Sequence, residues 1–243
     1  MQVRILRGLL VGAGLLLALA DAQANPIDDC NQSAEFKKQI EGCTAFLRRD
    51  PFGPHAALAH GLRGGAHHTK GDLGRAITDF DQALEIDPRQ VRILVNRGRV
   101  YRDKGDFERA IADFTQAIEI DSQFGGAFIN RCVAYADKGQ TDLAIADCTQ
   151  AINIHPDDAV AYNDRGVAYE KKGDLDSAVA DYSKAIELDS AYGEAYANRG
   201  VVYDNKGEKE RAVADYRVAL AKNPTEEDRQ ELETALKRLG ASP

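Results

Sequence analysis

Beyond its first 24 residues the chain has no window of 18 uninterrupted apolar residues, so no later segment reads as a helix able to cross a bilayer. It also lacks a basic excess. Its 31 Lys and Arg stand against 39 Asp and Glu, a net charge of −8, which is the wrong sign for general nucleic-acid binding through phosphate neutralisation. There is no Cys-x-x-Cys, which disfavours a dithiol redox site. There is no His-Glu-x-x-His, no nucleophile elbow and no phosphate-binding glycine loop. No acidic pair stands apart from the repeating pattern described below, so the residues supply no catalytic constellation, and neither a cofactor nor a metal is expected.

What is present begins with a leader. Arg4 and Arg7 precede an apolar run from Gly8 to Ala20, and Asp21 to Ala24 follow. The run is too short to span a membrane comfortably, and its small-residue ending suits a signal peptidase. Residues 1–24 therefore read as a signal peptide cleaved after Ala24, and the rest as an exported chain, periplasmic or secreted, without stable membrane insertion. No cysteine follows the run, which argues against a lipid anchor. Without the leader, 29 Lys and Arg face 38 Asp and Glu.

The remainder repeats itself. GDLGRAITDF at 71, GDFERAIADF at 105, GQTDLAIADC at 139, GDLDSAVADY at 173 and GEKERAVADY at 207 start 34 residues apart, and NRGRVY, NRCVAY, DRGVAY and NRGVVY recur upstream of the last four. Each block reads as two amphipathic helices. Gly139 fits a helix end that must enter the left-handed region, and Pro88, Pro156 and Pro224 close second helices. A hairpin this small cannot bury its own apolar faces, so the blocks must stack.

On the 34-residue period, the small Gly166 and Ala178, the aromatics Tyr162, Tyr169 and Tyr182 and the closing proline phrase, the chain resembles the tetratricopeptide repeat family. The resemblance implies an all-α fold, a right-handed superhelical α-solenoid of helix-turn-helix repeats. Five repeats are expected at 57–90, 91–124, 125–158, 159–192 and 193–226, after a degenerate N-terminal hairpin within 25–56. No block carries the tryptophan frequent in the family. Gly61, Gly64 and Gly65 weaken the first helix of the first full block, each by about 1 kcal/mol relative to alanine, so residues 52–70 are expected to be the most mobile. Thr225 opens a helix whose Leu232, Leu236 and Leu239 share one face; at 225–240 it would cap the stack.

Four cysteines in an exported chain suggest two disulfides. Cys43 and Cys148 occupy matching places on second helices, each with one cysteine upstream in its own hairpin, so the expected pairs are Cys30–Cys43 and Cys132–Cys148; buried thiols are the alternative. His55, His60, His67 and His68 crowd together, but no two stand three or four apart on the helix, and by register His60 and His67 replace core aromatics rather than hold a metal. Arg63, Arg97, Arg131, Arg165 and Arg199 recur on first helices and Asp79, Asp113, Asp147, Asp181 and Asp215 on second helices. They suggest an ion-pair ladder between packed helices, in the same block or the next.

In the family resembled, the outer side of the first helices lines a concave surface. Here that face would carry Arg92, Val95, Asn96, Arg99 and Arg102; Gly126, Ile129, Asn130 and Val133; Val160, Asn163, Asp164 and Val167; and Glu194, Ala197, Asn198 and Val201. It is basic at its early end, apolar in the middle and acidic late, where Glu170, Glu194 and Asp204 lie. Such a surface suits an extended peptide or a partner helix. Some superhelical members hold peptide backbones with an asparagine ladder, and the resemblance implies that role for Asn96, Asn130 and Asn198, with Asp164 breaking the ladder; bonds to the adjacent helix are the alternative. The lysines and arginine of a carboxylate clamp are missing. The expected function is an exported adaptor for a peptide or protein partner of unspecified identity, and the alternative is a structural assembly module joining copies of itself or an envelope complex through its ends or convex face.

Overall fold

The computed structural model describes residues 27, 30, 35–222 and 224–242. The expected leader and its cleavage point, and most of the segment ahead of residue 35 in the N-terminal hairpin, lie outside them. Among the described residues there are twelve α-helices and no strand. They are α1 (Phe36–Arg49), α2 (Ala56–Thr69), α3 (Leu73–Ile86), α4 (Val91–Asp103), α5 (Phe107–Ile120), α6 (Gly125–Asp137), α7 (Thr141–Ile154), α8 (Ala159–Lys172), α9 (Leu175–Leu188), α10 (Gly193–Asn205), α11 (Lys209–Ala221) and α12 (Glu226–Arg238). Each packs on its neighbours in the chain, and first helices also touch the next first helix, α2 with α4, α4 with α6, α6 with α8 and α8 with α10. The first helices thus form the inner row of an α-solenoid.

Local chemistry sets the hairpins. Gly71, Gly105, Gly139, Gly173 and Gly207 all have φ between 76° and 86°, the left-handed turn that glycine adopts at least cost. One residue later, Asp72, Asp106 and Asp174 cap the second helices by accepting from the backbone N–H three residues on. The two helices then cross closely. A Cβ added at Gly98, Gly166 or Gly200 would lie 2.5–2.7 Å from the ring of Phe114, Tyr182 or Tyr216, so the large ring fits only because the partner has no side chain. In the third full block this pair is replaced as a unit: Cys132 stands at the glycine position, Cys148 at the aromatic one, and a disulfide joins them with Cα atoms 5.5 Å apart. The second expected bridge, Cys30–Cys43, also forms, in a cluster with Ile27, Phe46, Leu47, Ala56 and Ala59.

The arginine ladder runs both ways. Arg131 donates from Nε and Nη2 to Asp147 of its own hairpin at 2.6 and 2.8 Å, and from Nη1 to Thr115 of the preceding one at 3.0 Å. Arg165 and Arg199 repeat this with Asp181 and Thr149, and with Asp215 and Ser183. Arg97 reaches back to Asp81 instead. Arg63 reaches Thr44, 19 residues away rather than 16, because the α1–α2 connection has six residues where the later ones between hairpins have four, and Arg63 stands one place further into its helix than Arg131 does. The aspartates are buried, and by accepting these hydrogen bonds they hold Arg131, Arg165 and Arg199 above the usual guanidinium range. Rings at the preceding and following turns, such as Tyr162 and Tyr169 around Arg165, complete the cradle.

In the first full block His60 and His67 take the places of those two rings and both turn to Asp79, at 3.0 and 3.9 Å. Burial, ahead of the attraction of Asp79, keeps the His67 imidazole below its usual range. The block's poor first helix is nonetheless whole, and two of its glycines do packing work. A Cβ at Gly61 would lie 2.5 Å from Ile93 Cδ1, and one at Gly64 2.9 Å from Phe80 Cε1, while Gly65 faces open space. At the other end Thr225 caps α12, and Leu232 and Leu236 bury against Ala212, Tyr216 and Ala219 with Leu239 partly covered beside them. That covers the last apolar face.

Candidate partner-binding groove

One line of side chains faces outward on the inner row, because residues four and three apart share a helix face. On α4 it is Arg92, Asn96 and Arg99, on α6 Gly126, Asn130 and Val133, on α8 Val160, Asp164 and Val167, and on α10 Glu194, Asn198 and Val201. Val160 and Val201 are 44% and 40% exposed, and Val133 and Val167 are half-buried. Leu58 on α2 continues the line and is also exposed. It escaped the sequence reading, which did not carry the face into the glycine-rich first helix.

Two expected groove residues are not on the surface. Val95 is 7% exposed within the core around Leu94, and Asn163 is fully buried. They stand one residue ahead of the outward line, on the side that turns toward a neighbouring first helix. Ile129 and Ala197 share that register but stay partly accessible. Asn163 is a structural hub. Its amide donates to Asp164 at 3.4 Å, and its oxygen accepts from Asn198 of the next hairpin at 3.0 Å. The asparagine ladder is therefore mixed: Asn198 bonds across helices, Asn130 donates to the Gly126 carbonyl of its own helix at 2.7 Å, and Asn96 is half-buried.

The two ends differ electrically. Arg92 and Arg99 are exposed and, unlike the five ladder arginines, pair with no carboxylate among the described residues. Arg102 lies beside Asp103, which also holds His68 at 2.6 Å. The late end closes into a chamber of about 670 Å³ between α10, α11 and α12, walled by Ala197, Val201 and Leu232 and edged by Glu194, Asp228 and Glu231. Its Arg238 is already held by Asp204. Asp164 lies next to this end. Burial pushes its carboxyl up to about 7, and repulsion from Glu194 and Asp158 adds to the shift against the lowering effects of Asn163 and Arg102. Glu170 accepts from the Tyr182 hydroxyl at 3.0 Å. Burial first, then the carboxylate, keeps that phenol protonated. Among the described residues no group of three His, Cys, Asp or Glu is placed to hold a metal ion, and no helix is long and apolar enough to cross a membrane.

A stack of near-identical hairpins with an open inner wall defines the class, and comparison with known families agrees. Family models described as "Tetratricopeptide repeat" match residues 44–91, 91–124, 159–192 and 193–226, and one described as "TPR repeat" matches 133–173. The chain belongs to the tetratricopeptide repeat family, whose members serve as protein-interaction scaffolds. Among solved structures it is similar to MamA, with 29% identity over 69% of this chain and 96% of that one and a TM-score of 0.57. A tetratricopeptide repeat protein from Parabacteroides merdae superposes with a TM-score of 0.72 at 18% identity, covering 88% of this chain and 89% of that one. YrrB, titled as a TPR protein with an unusual peptide-binding site, gives 0.56 at 22% identity over 80% of this chain and 99% of that one. No curated protein matches.

Proposed function

We propose that the protein is an exported adaptor that holds a peptide segment or partner protein along the inner wall of its solenoid. The observation that carries this reading is the outward line, in which valines at 133, 160, 167 and 201 stay accessible on three successive helices of the inner row. Small apolar side chains flanked by polar ones suit an extended chain laid across several helices. The carboxylates that would tempt a catalytic reading, Asp79, Asp113, Asp147, Asp181 and Asp215, are all engaged with the ladder arginines. Export is supported by the leader and by two disulfides, which persist in oxidising compartments.

A photoreactive residue at position 133 should crosslink a discrete partner in intact cells, and Val133→Asp with Val167→Asp should abolish partner capture while the helical circular dichroism persists. Capture unaffected by that pair would favour the assembly-module reading instead. One observation supports the latter. Phe52, in the longer α1–α2 connection between Pro51 and Pro54, is 87% exposed, and a contact with another copy or a neighbouring protein there would bury it. Osmotic-shock fractionation with N-terminal sequencing tests export; a chain retaining residue 1 in the cytoplasm would overturn it.

A further inference from the structure

The surplus charge of the groove changes sign along its length, with Lys222 the one unpaired cation among the described residues at the acidic end, and this specifies the partner more narrowly than a groove alone does. The early end carries Arg92 and Arg99, two turns apart on the outward line of α4 with Asn96 between them. Every other arginine on an inner helix is committed to a carboxylate: Arg63, Arg97, Arg131, Arg165 and Arg199 to the ladder and Arg102 to Asp103. The late end has the opposite surplus. Glu194, Asp204, Asp228 and Glu231 border the terminal chamber against the two cations Lys222 and Arg238, of which Arg238 is held by Asp204, and no lysine or arginine pairs with Glu194 or Glu231 among the described residues. Asp164 lies on α8 next to the late end, where burial first, and then repulsion from Glu194 and Asp158, hold its carboxyl above the usual range. Between the poles the line carries Val133, Val160, Val167 and Val201 and no unpaired charge besides Asp164.

We infer that the occupant of this groove is an extended, charge-polarised segment, with a carboxylate side chain over Arg92 and Arg99, small apolar side chains across α6 and α8, and a lysine or arginine at the Glu194 end. The inference rests on the adaptor reading and adds the partner's chemistry to it. Length follows from the fold. Packed helices lie 8–10 Å apart, so three steps from α4 to α10 span roughly 24–30 Å, or about eight residues at ~3.3 Å each. Charges at the two ends fix register and suppress uniformly charged competitors, and the apolar middle supplies contact area. A segment of either chain direction meets the requirement, since only the order of charges along the groove is constrained.

Selection of nonapeptides from a random displayed library on the full chain tests this. Enriched peptides should carry Asp or Glu toward one end and Lys or Arg toward the other. A representative should lose at least about tenfold in affinity on the Arg92→Glu, Arg99→Glu protein; both residues are exposed, so folding is spared. The same variant should gain peptides basic at both ends. Enriched peptides that need Val133 and Val167 but show no charge order would overturn the polarity and leave the adaptor reading standing. Peptides recovered equally by the Val133→Asp, Val167→Asp protein, or no peptide at all, would sink the adaptor reading itself. Sedimentation showing oligomers that Arg92→Glu, Arg99→Glu dissolves would overturn the inference by making a second copy the occupant.

Discussion

Arg165 donates to Asp181 sixteen residues ahead and to Thr149 sixteen residues behind, so one guanidinium closes its own hairpin and ties it to the one before. The two bonds do different jobs. The bidentate pair to a buried carboxylate satisfies a charge that has no other cation, whereas the hydroxyl bond crosses the interface between repeats.

The ladder therefore predicts unequal losses. Arg165→Met leaves Asp181 buried and unpaired and should cost about 3–5 kcal/mol in urea unfolding. Thr149→Val removes the bond at the interface together with the hydroxyl's own bond to the Ile145 carbonyl, and should cost about 1 kcal/mol. Equal losses would mean that the arginine acts through packing against Tyr162 and Tyr169 alone.

The disulfide at the third crossing predicts a swap. Cys132→Gly with Cys148→Tyr recreates the pair seen at Gly166 and Tyr182, and should melt near the oxidised wild type while ignoring reductant. Cys132→Ala with Cys148→Ala has neither bond nor ring and should lose about 3 kcal/mol, the chain-entropy value for a loop of this size. Cys148→Tyr alone should be worse, because a Cβ at the facing position sits 2.6 Å from the ring edge in the neighbouring repeat. If the swap is no better than the double alanine, the crossing tolerates no ring in this block.

How much of this was legible beforehand divides along a physical line. The hairpins and the Cys132–Cys148 pair follow from residues that recur at fixed places, and recurrence within one chain is visible without coordinates; for Cys30–Cys43 only the match of Cys43 to Cys148 recurs, since the two pairs are separated by 13 and 16 residues. The arginine's backward bond was not visible, because threonine, aspartate and serine share that place and the sequence offset is the same in both directions. The edges of the groove were read too widely for a similar reason. Val95 and Asn163 lie only one residue, about 100°, from the outward line, and how far the next helix covers that flank depends on the tilt between hairpins. Nothing in a repeat's own residues states that tilt. Leu58 was missed because glycines obscured the periodicity around it.

Asp164 predicts a pH dependence of stability. Its carboxyl titrates at about 7 in the fold against 3.8 unperturbed, so the stability it contributes is fully present below about pH 4 and is lost as pH rises through 7. The groups acting on it are Asn163 on its own helix, Asp158 at the helix start, Glu194 on α10 and Arg102 on α4, with the phenols of Tyr182 and Tyr192 also within its field. Asp164→Asn should match the wild type near pH 4 and exceed it at pH 8 by roughly 1–2 kcal/mol, allowing for partial solvent screening. A difference independent of pH would assign the effect to packing.

The first full block offers the finest test, since its adjacent glycines face different surroundings. Gly65 sits within helix α2 with nothing near its missing side chain, so Gly65→Ala should gain about 1 kcal/mol through helix propensity alone. Gly64→Ala gains the same propensity but sets a Cβ 2.9 Å from the Phe80 ring and 3.2 Å from Asp79 Cβ. The strain should outweigh the gain and loosen the grip of His60 and Arg63 on Asp79. Native-state hydrogen exchange resolves both effects in place. Amides of residues 52–70 should exchange faster than those of 159–220 in the wild type, slow in Gly65→Ala, and quicken in Gly64→Ala. Slowing in both variants would show that the helix is limited by its own glycine content and that the ring yields; slower exchange at 52–70 than at 159–220 in the unmutated chain would remove the premise that this block is the weak one.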